Sequence, residues 1–235
     1  FEDSHLIVIN KPAGLVVHPA PGNDSGTLVN GLLYHCPELG GVNAELRPGI
    51  VHRLDKDTTG TMVVAKNRVT LENLSQQFKE REVKKTYLAL VHGVLGSNSG
   101  RISLPIGRHP KDRKKMSTIS SRGREAETLW QVKMRYTAAT LLELELKTGR
   151  THQIRVHCTS MHHPIIGDAV YTYARLGKIK RNESPLETLL RSARRQMLHA
   201  RRLCFTHPVE KRFMSFTAPI PEDMQSLMDG LAGYT

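Results

Sequence analysis

The sequence predicts an α+β fold in which a mostly antiparallel, mixed sheet carries flanking helices. Short runs rich in valine, isoleucine and leucine recur along the chain, separated by glycine, proline and asparagine, as expected of strands and turns. Fewer stretches place apolar residues at helical spacing. Strands and helices do not alternate regularly, so the pattern differs from that of a parallel βαβ fold.

The first half of the chain mixes strand and helix patterns. A helix is predicted in VTLENLSQQFKE because Leu71, Leu74 and Phe78 lie on one side. Another is predicted in GTLVNGLLYH, and it ends before Pro37, which cannot continue it. The predicted strands are LIVIN, GLVVHP, GIVHRL and TMVVAK, with the turn KPAG between the first two.

The second half is predicted to be richer in strands. KKTYLALVHGVL is a strand, and a hairpin follows it across GSNSG to RISLPIG. A second hairpin turns at TAA, with Leu142, Leu144 and Leu146 alternating in its second arm. Residues 172–196 are interpreted as a basic surface insertion with a helix in PLETLLRSARRQ. The remaining predictions are a short helix in THQIRVHCTSM, a strand pair in LHARRLCFTHP and KRFMSFTAP, and a closing helix in PEDMQSLMDGLA.

Charge and cysteine content restrict the possible classes of function. The chain has 235 residues, 34 lysines and arginines against 22 acids, and a net charge of +12, which favours a polyanion such as RNA as partner. No window approaches a transmembrane run, and the start lacks the features of a signal peptide. The 3 cysteines are far apart, which indicates a reducing compartment, so we expect a cytoplasmic protein.

Most familiar catalytic motifs are missing from the sequence. The 12 histidines include no pair at the spacing of a zinc-binding helix, so we expect no metal. The glycines form no P-loop or dinucleotide fingerprint, so we expect no nucleotide cofactor. A GxSxG nucleophile motif is also absent, which argues against acyl transfer.

Two polar stretches remain as candidates for chemistry. In HRLDKDTTG, Asp55 follows a predicted strand, and it is either a functional acid or part of a turn capped by Asp57 and the threonines. In KTGRTHQIRVH, Ile154 alternates with polar residues, so the element is partly buried. A buried Arg155 needs an anionic partner, and Asp55 is a plausible one.

These stretches, together with KKTYLALVHG and in this order, resemble the three signature segments of the RluA-type pseudouridine synthases. INKPAGLVVHP, HPIIGDAVY and LHARRLCFTHP agree with the family as well, so the resemblance covers nearly the whole chain. The sequence is most similar to the subgroup that acts on large-subunit ribosomal RNA, the D subgroup. HPAPGNDSGTLVNGLL and the variant Lys56-Asp57-Thr58-Thr59 support that choice.

The resemblance implies roles for individual residues. Asp55 matches the essential aspartate, and Tyr87 the tyrosine that stacks near the target base. Arg155 matches the arginine that pairs with the aspartate, and Arg53 the position that displaces the base from its helix. Further RNA contacts are predicted for a set of basic and polar residues near these motifs, namely His52, Lys84, Lys85, Arg150, His152 and Gln153. Two basic stretches, at 108–115 and 178–195, could contact phosphates or form a solvated face.

The resemblance also implies the organisation of the chain and its reaction. Residues 1–235 are predicted to form a single catalytic domain, without the small S4-like RNA-binding domain that relatives usually carry, and the missing methionine indicates a fragment. We expect a monomeric synthase that uses no metal or cofactor and converts uridine in large-subunit ribosomal RNA. The alternatives are a synthase acting on transfer RNA, a non-catalytic RNA-binding or ribosome-assembly factor, and a hydrolase that releases uracil.

Overall fold

The computed structural model describes residues 1–19, 22–41, 48–112, 115–172 and 184–234. The chain forms two compact units. The first unit consists of Phe1–Lys85 and Ala200–Pro219, and the second of Thr86–His199 and Ile220–Thr235. The division falls within two strands, β3 (Lys84–His92) and β9 (Leu198–Thr206). The prediction that the chain is a single catalytic domain stays a prediction.

In the first unit, β2 (Thr59–Ala65) lies between β1 (Leu6–Lys11) and β9, and β10 (Phe213–Thr217) also pairs with β9. Helix α1 begins with a capping box in which Thr27 and Asn30 bond each other's backbone. Helix α2 begins at a cap where Asn67 Oδ1 accepts the Thr70 amide. The elements are β1 (Leu6–Lys11), α1 (Leu28–His35), a 3₁₀ helix (Pro37–Gly41), β2 (Thr59–Ala65), α2 (Arg68–Glu80) and β10 (Phe213–Thr217).

Both faces of β1 and β2 are covered, which explains why every residue of β2 is buried. Leu6 and Val8 pack on one face with Leu74 of α2 and Phe205 of β9. Ile7 faces the other way and packs in a second cluster that includes residues of α1. The period of two along a strand therefore assigns alternate residues to two different cores.

The described residues of the second unit form an antiparallel sheet in the order β3, β8 (Ala139–Leu146), β7 (Glu127–Arg135) and β4 (Ser99–Ser103), a separate two-stranded hairpin and three helices. Residues Thr86 to His92 of β3 pair with β8, and β7 pairs with β8 through a bulge near Val132. The elements are β4 (Ser99–Ser103), β5 (Gly107–Arg108), β6 (Met116–Ser117), β7 (Glu127–Arg135), β8 (Ala139–Leu146), α3 (Gln153–Ser160), α4 (Pro185–Arg191) and α5 (Glu222–Ala232).

Most predicted elements are present, and the comparisons below confirm the α+β class, but two predicted strands are wrong. GLVVHP forms no strand, because the carbonyls of Val16 and Val17 accept the amides of Leu28 and Val29 at the start of α1. GIVHRL forms only an isolated bridge, between Ile50 and Val64. In both places the run is only partly buried and does not join a ladder along its length.

The first predicted hairpin is also wrong. β3 and β4 follow each other in the chain, but β4 pairs with β7 and β3 pairs with β8. The strong β7–β8 hairpin therefore separates two strands that are neighbours in sequence.

The late insertion falls partly outside the described residues. Its helix is confirmed as α4, which contacts α5 through Leu189 and Gly230. Arg195 is buried and binds Asp223 through two hydrogen bonds of 2.7 Å, so it stabilises the second unit. Lys178, Lys180 and Arg181, like Arg113 and Lys114, lie outside the described residues. Across the part of the chain that is described, no helix is both long and apolar enough to cross a bilayer.

Candidate active site

Asp55 opens a tight turn in the first unit. Its backbone carbonyl accepts the amide of Thr58 at 3.1 Å, and β2 begins one residue later. The Asp55 side chain is half-buried, whereas Lys56 is exposed. The prediction of a turn after the strand-like run is confirmed, and the turn presents a carboxylate at the end of a buried strand.

Lys11 fixes the backbone of this turn. The lysine is fully buried, and its Nζ donates to the carbonyl oxygens of Pro12, Leu15 and Lys56 at 2.8 Å each. An ammonium has three donors, and a buried charge is tolerated only when such bonds are made. The turn that carries Asp55 is therefore tied to the segment after β1.

Gly60 fixes the other end of the turn. Its φ is +116°, and a Cβ there would lie 2.2 Å from the carbonyl oxygen of Ala200 in β9. Gly60 also pairs with Lys11 across β1 and β2. A side chain at this position would push β9 away, so the close approach requires glycine.

The contacts of the His52 side chain in this structure are with the protein itself. Its ring stacks on Phe78 with centroids 4.7 Å apart, and its Nε2 accepts the amide of Val63 at 3.1 Å. Burial, and secondarily the Lys85 ammonium, lowers the pKa of His52 from 6.5 to about 3. The ring is neutral at pH 7, so any contact it makes with RNA is not that of a cation.

Cations also lie near the ends of β3 and of the Asp55 turn. Lys85 Nζ lies 5.7 Å from the centre of the Phe78 ring, and burial, followed by the nearby Arg81, lowers the pKa of this lysine. Arg53 and Lys84 are exposed. The predicted RNA contacts of His52, Arg53, Lys84 and Lys85 stay predictions.

Tyr87 lies in the second unit, on β3. It is 7% exposed, and its Cα lies opposite that of Leu144 on β8. A nearly buried tyrosine on a central strand fits both a core role and a ring that presents one edge to a ligand. Its predicted stacking on the target base stays a prediction.

Arg155 is buried on α3 and is bound to Asp168. Its Nε donates to Asp168 Oδ2 at 2.7 Å and its Nη2 to Oδ1 at 3.0 Å. The two side chains are 6% and 0% exposed. Asp168 thus meets the need of a buried arginine for an anion, and the predicted pairing of Arg155 with Asp55 stays a prediction.

Tyr171 lies next to this ion pair. The Arg155 guanidinium lies 5.1 Å from the centre of its ring, and the Tyr171 amide donates to Asp168 Oδ1 at 3.2 Å. The Tyr171 hydroxyl accepts the Met116 amide and is bonded to His152 Nδ1, at 2.9 Å each. His152 itself has a φ of 55°, which is rare for a residue with a side chain.

Gln153 and Arg150 are held by the protein backbone. Gln153 Oε1 accepts from the Thr148 hydroxyl and the Arg150 amide, and its Nε2 donates to Glu127 O and Thr128 Oγ1, all within 3.0 Å. Arg150 Nε donates to Glu125 O at 3.0 Å. These bonds anchor the start of α3 to β7. The predicted RNA contacts of Arg150, His152 and Gln153 stay predictions.

Sequence reasoning missed the roles of Lys11, Asp168 and Tyr171. Lys11 and Asp168 each stand within an apolar run, INK and PIIGDAV, and a charge in such a run is a signal of a buried, paired group. Tyr171 gave no comparable signal, because a tyrosine in an apolar run is ordinary.

Among the described residues, one group could in principle hold a metal: the ligand atoms of Glu2, His35 and Cys36 lie within 4.8 Å of one another. Lys66 Nζ already donates to Glu2 Oε1 at 2.8 Å, and His35 Nε2 lies 2.8 Å from Oε2. Hydrogen bonds from Lys66 and His35 lower the pKa of Glu2 to about 2. An ammonium this close opposes a second cation, so the chemistry of the group does not fit a metal site.

Comparison with known proteins decides the family. A model of the family described as RNA pseudouridylate synthase matches residues 5–160. The chain belongs to the RNA pseudouridylate synthase family. The matched range of this synthase contains Asp55, Tyr87 and Arg155, and the resemblance stated from the sequence motifs is confirmed.

Three curated relatives agree with this assignment. The synthase is 48% identical over 234 residues to the ribosomal large subunit pseudouridine synthase D of Xanthomonas campestris, covering 98% of this chain and 68% of that protein. It is 47% identical to an uncharacterized RNA pseudouridine synthase of Synechocystis, with 97% and 67% covered. It is 45% identical to YlyB of Bacillus subtilis, also an uncharacterized RNA pseudouridine synthase, with 98% and 71% covered.

Solved structures confirm the fold. Human RNA pseudouridylate synthase domain containing 4 superposes with a TM-score of 0.76 at 28% identity, covering 99% of this chain and 92% of that one. Human RNA pseudouridylate synthase domain containing 1 gives 0.69 at 25% identity, with 99% and 93% covered.

Proposed function

We propose that this synthase converts specific uridines of large-subunit ribosomal RNA to pseudouridine, with Asp55 as the essential carboxylate. The observation that carries the substrate assignment is its 48% identity, over 98% of the chain, to proteins named ribosomal large subunit pseudouridine synthase D from Xanthomonas, Nitrosomonas and Neisseria. Transfer RNA is the competing substrate.

The reaction is an isomerisation and needs no other reactant. The bond between C1′ and N1 breaks, the uracil turns, C5 bonds to C1′, and the proton lost from C5 is balanced by one gained at N1. Breaking a glycosidic bond builds positive character on the sugar, and a carboxylate stabilises or traps it. Asp55 acts either by attacking C1′ or by taking the C2′ proton from the sugar, and a deuterium at C2′ gives a primary kinetic isotope effect only in the second case.

The construction of the turn supports this role for Asp55. A catalytic group is effective only when its position is fixed before the substrate binds. The Asp55 backbone is held by its bond to Thr58, and the turn is tied at Lys56 to the buried Lys11 and at Gly60 to β9. A turn that served only to reverse the chain would not require a fully buried lysine.

Arg53 and Tyr87 are proposed to displace the target base from its stack and to bind it. A uridine within a stem must leave its stack before its sugar is accessible, which costs a few kcal/mol. Arg53 is exposed two residues before Asp55 and is proposed to take the place of the base. Tyr87 offers an aromatic ring, and aromatic stacking of an extruded base offsets part of the cost.

Arg155 is proposed to stabilise the ionised Asp55. A guanidinium is a rigid, planar fork of N–H donors, and that of Arg155 binds Asp168 through Nε and Nη2. Because Asp168 already offsets its charge, we expect Arg155 to act by orientated hydrogen bonding more than by net charge. The proposed pair of Asp55 and Arg155 is one that the family resemblance implies.

The setting of the reaction is part of the same proposal. We propose a monomer in the cytoplasm that uses neither metal nor cofactor, and in which basic residues contact phosphates. Cys36, Cys158 and Cys204 are all free, buried thiols, which suits a reducing compartment. A net charge of +12 suits a polyanionic substrate.

The experiment is to incubate the wild type, Asp55→Asn and Asp57→Asn with ribosomal, transfer and messenger RNA and to quantify pseudouridine. We expect product on large-subunit ribosomal RNA, and a loss of about a thousandfold or more in Asp55→Asn. Asp57→Asn removes an acid from the same turn and should lose less than about tenfold, provided that its unfolding curve matches the wild type.

Each other outcome contradicts a specific part of the proposal. Full activity of Asp55→Asn contradicts the role of this residue. Product on transfer RNA alone contradicts the substrate. Release of free uracil indicates hydrolysis, and tight RNA binding without product on any RNA indicates a non-catalytic factor.

A further inference from the structure

We infer that Tyr171 is a positioning residue that couples a basic RNA-contacting hairpin to Arg155. The described residues of this hairpin are 107–112 and 115–117, which include β5 and β6, and the cations among them are Arg108, Lys111 and Lys115. Because RNA is taken as its ligand, the inference rests on the proposed function. All contacts that carry it lie within the second unit.

The described part of the hairpin has a defined shape. Arg108 pairs with Met116 across β5 and β6. His109 Nδ1 accepts the amides of Lys111 and Asp112, at 3.2 and 3.1 Å, and thereby turns the chain. Arg108 and Lys111 are exposed, so an ordered backbone presents these cations to solvent. Phosphate contacts of this kind position an RNA without reading its sequence.

The base of the hairpin is bonded to Tyr171. The Met116 amide donates to the Tyr171 hydroxyl at 2.9 Å, which fixes the first residue of β6. Met116 also packs against the apolar cluster of Ile106, Ala126, Val156 and Tyr171. Val156 adjoins Arg155 on α3, so the cluster joins the hairpin to the helix that carries the arginine.

The other side of Tyr171 supports Arg155. The guanidinium lies 5.1 Å from the centre of the ring, while Asp168 accepts from both Arg155 and the Tyr171 amide. The same tyrosine therefore binds the hairpin through its hydroxyl and the arginine through its ring. Displacement of the hairpin by RNA would be transmitted to Arg155 through one rigid side chain.

The two halves of this role are separable by substitution. Tyr171→Phe keeps the ring beneath Arg155 but removes the hydroxyl, so we expect KM for RNA to rise by about three- to tenfold with little change in kcat. Tyr171→Leu also removes the ring, and we expect kcat to fall by about tenfold in addition. Tyr136→Phe, at another buried tyrosine of the same unit, is the control and should change neither.

A double-mutant cycle tests whether the hydroxyl acts through the hairpin. In the Arg108→Ala, Lys111→Ala background, the effect of Tyr171→Phe on KM should largely disappear, because the cations it positions are gone. Additive effects on KM would overturn the coupling. Equal changes of kcat and KM in Tyr171→Phe and Tyr171→Leu, tracking their loss of stability, would indicate a structural role only.

A measurement without RNA keeps this inference distinct from the proposed function. Amide hydrogen exchange of Met116 should be faster in Tyr171→Phe than in the wild type or Tyr136→Phe. Unchanged exchange overturns the coupling even if the enzyme is active. A wild type that forms no pseudouridine contradicts the proposed function, whereas the exchange result still decides whether Tyr171 holds the hairpin.

Discussion

Lys11 and Lys56 are joined through the interior of the first unit: the buried Nζ of Lys11 donates to the Lys56 carbonyl oxygen at 2.8 Å. The two residues are 45 positions apart in the chain. Lys56 follows Asp55 directly, so the bond determines where the proposed catalytic carboxylate lies. The structure thus places a buried charge beneath the turn and an exposed lysine side chain above it.

Replacing the buried ammonium should loosen this turn. Lys11→Met keeps most of the volume but leaves the carbonyls of Pro12, Leu15 and Lys56 without that donor, so we expect a loss of about 2–4 kcal/mol in unfolding free energy. Pseudouridine formation should fall as well under conditions in which the variant is folded. Lys56→Met alters only an exposed side chain, and its unfolding free energy in urea should stay within about 0.5 kcal/mol of the wild type. Equal stability of the two variants would contradict the role of Lys11.

Gly60 should not tolerate a side chain. Gly60→Ala combines a φ of +116° with a Cβ placed 2.2 Å from Ala200 O, and we expect a loss of about 2 kcal/mol or more. Gly96 has open space around its Cβ position, so Gly96→Ala should change the unfolding free energy by less than about 1 kcal/mol. Urea unfolding of both variants measures the two changes in unfolding free energy. If Gly60→Ala has the same unfolding free energy as the wild type, β9 can move away from residue 60 without a loss of stability.

His52 should make stability depend on pH in the acid range. Burial lowers the pKa of His52 to about 3, whereas the unfolded chain titrates near 6.5, so between these values the unfolded state binds a proton that the folded state lacks. Stability is therefore fully present above pH 6.5 and is lost as the pH falls towards 3, with a slope of up to about 1.4 kcal/mol per pH unit.

The matched variant for this prediction is His52→Phe, which keeps a ring on Phe78 but cannot titrate. Unfolding free energies measured from pH 4 to 7 should rise less steeply with pH in the variant than in the wild type. The His52 ring resonances should show no titration near pH 6.5, and a transition there would contradict the prediction.

The buried ion pair of Arg155 and Asp168 should contribute more to the free energy of unfolding than either residue contributes without the other. Asp168→Asn removes the carboxylate that accepts two hydrogen bonds from the buried Arg155, and we expect a loss of about 3–5 kcal/mol. The double variant Arg155→Met, Asp168→Asn also removes the buried guanidinium and should recover part of that loss while staying inactive. Unfolding and activity measured on all members of the cycle separate the two effects, and additive losses of stability would show that the pair is not coupled.

Local patterns in the sequence determined most of the elements of this protein. The helices α1, α2, α3 and α5 and the β7–β8 hairpin were predictable, because periodicity, caps and turn residues act over a few positions. The three motifs also indicated the family and the candidate residues Asp55, Tyr87 and Arg155. These residues are far apart in the chain. Charge suggested Asp55 as a partner of Arg155, and the resemblance connected all three.

Long-range packing decided the rest. Three features depend on which surfaces meet in three dimensions: the pairing of β4 with β7, the bonds from the start of α1 to the Val16 and Val17 carbonyls, and the binding of Arg155 to Asp168. A sequence can indicate that Lys11 or Asp168 is a charge in an apolar run. The hydrogen-bond partners of such a charge follow only from the fold. A buried donor or acceptor needs a partner, and the fold determines which group lies within reach.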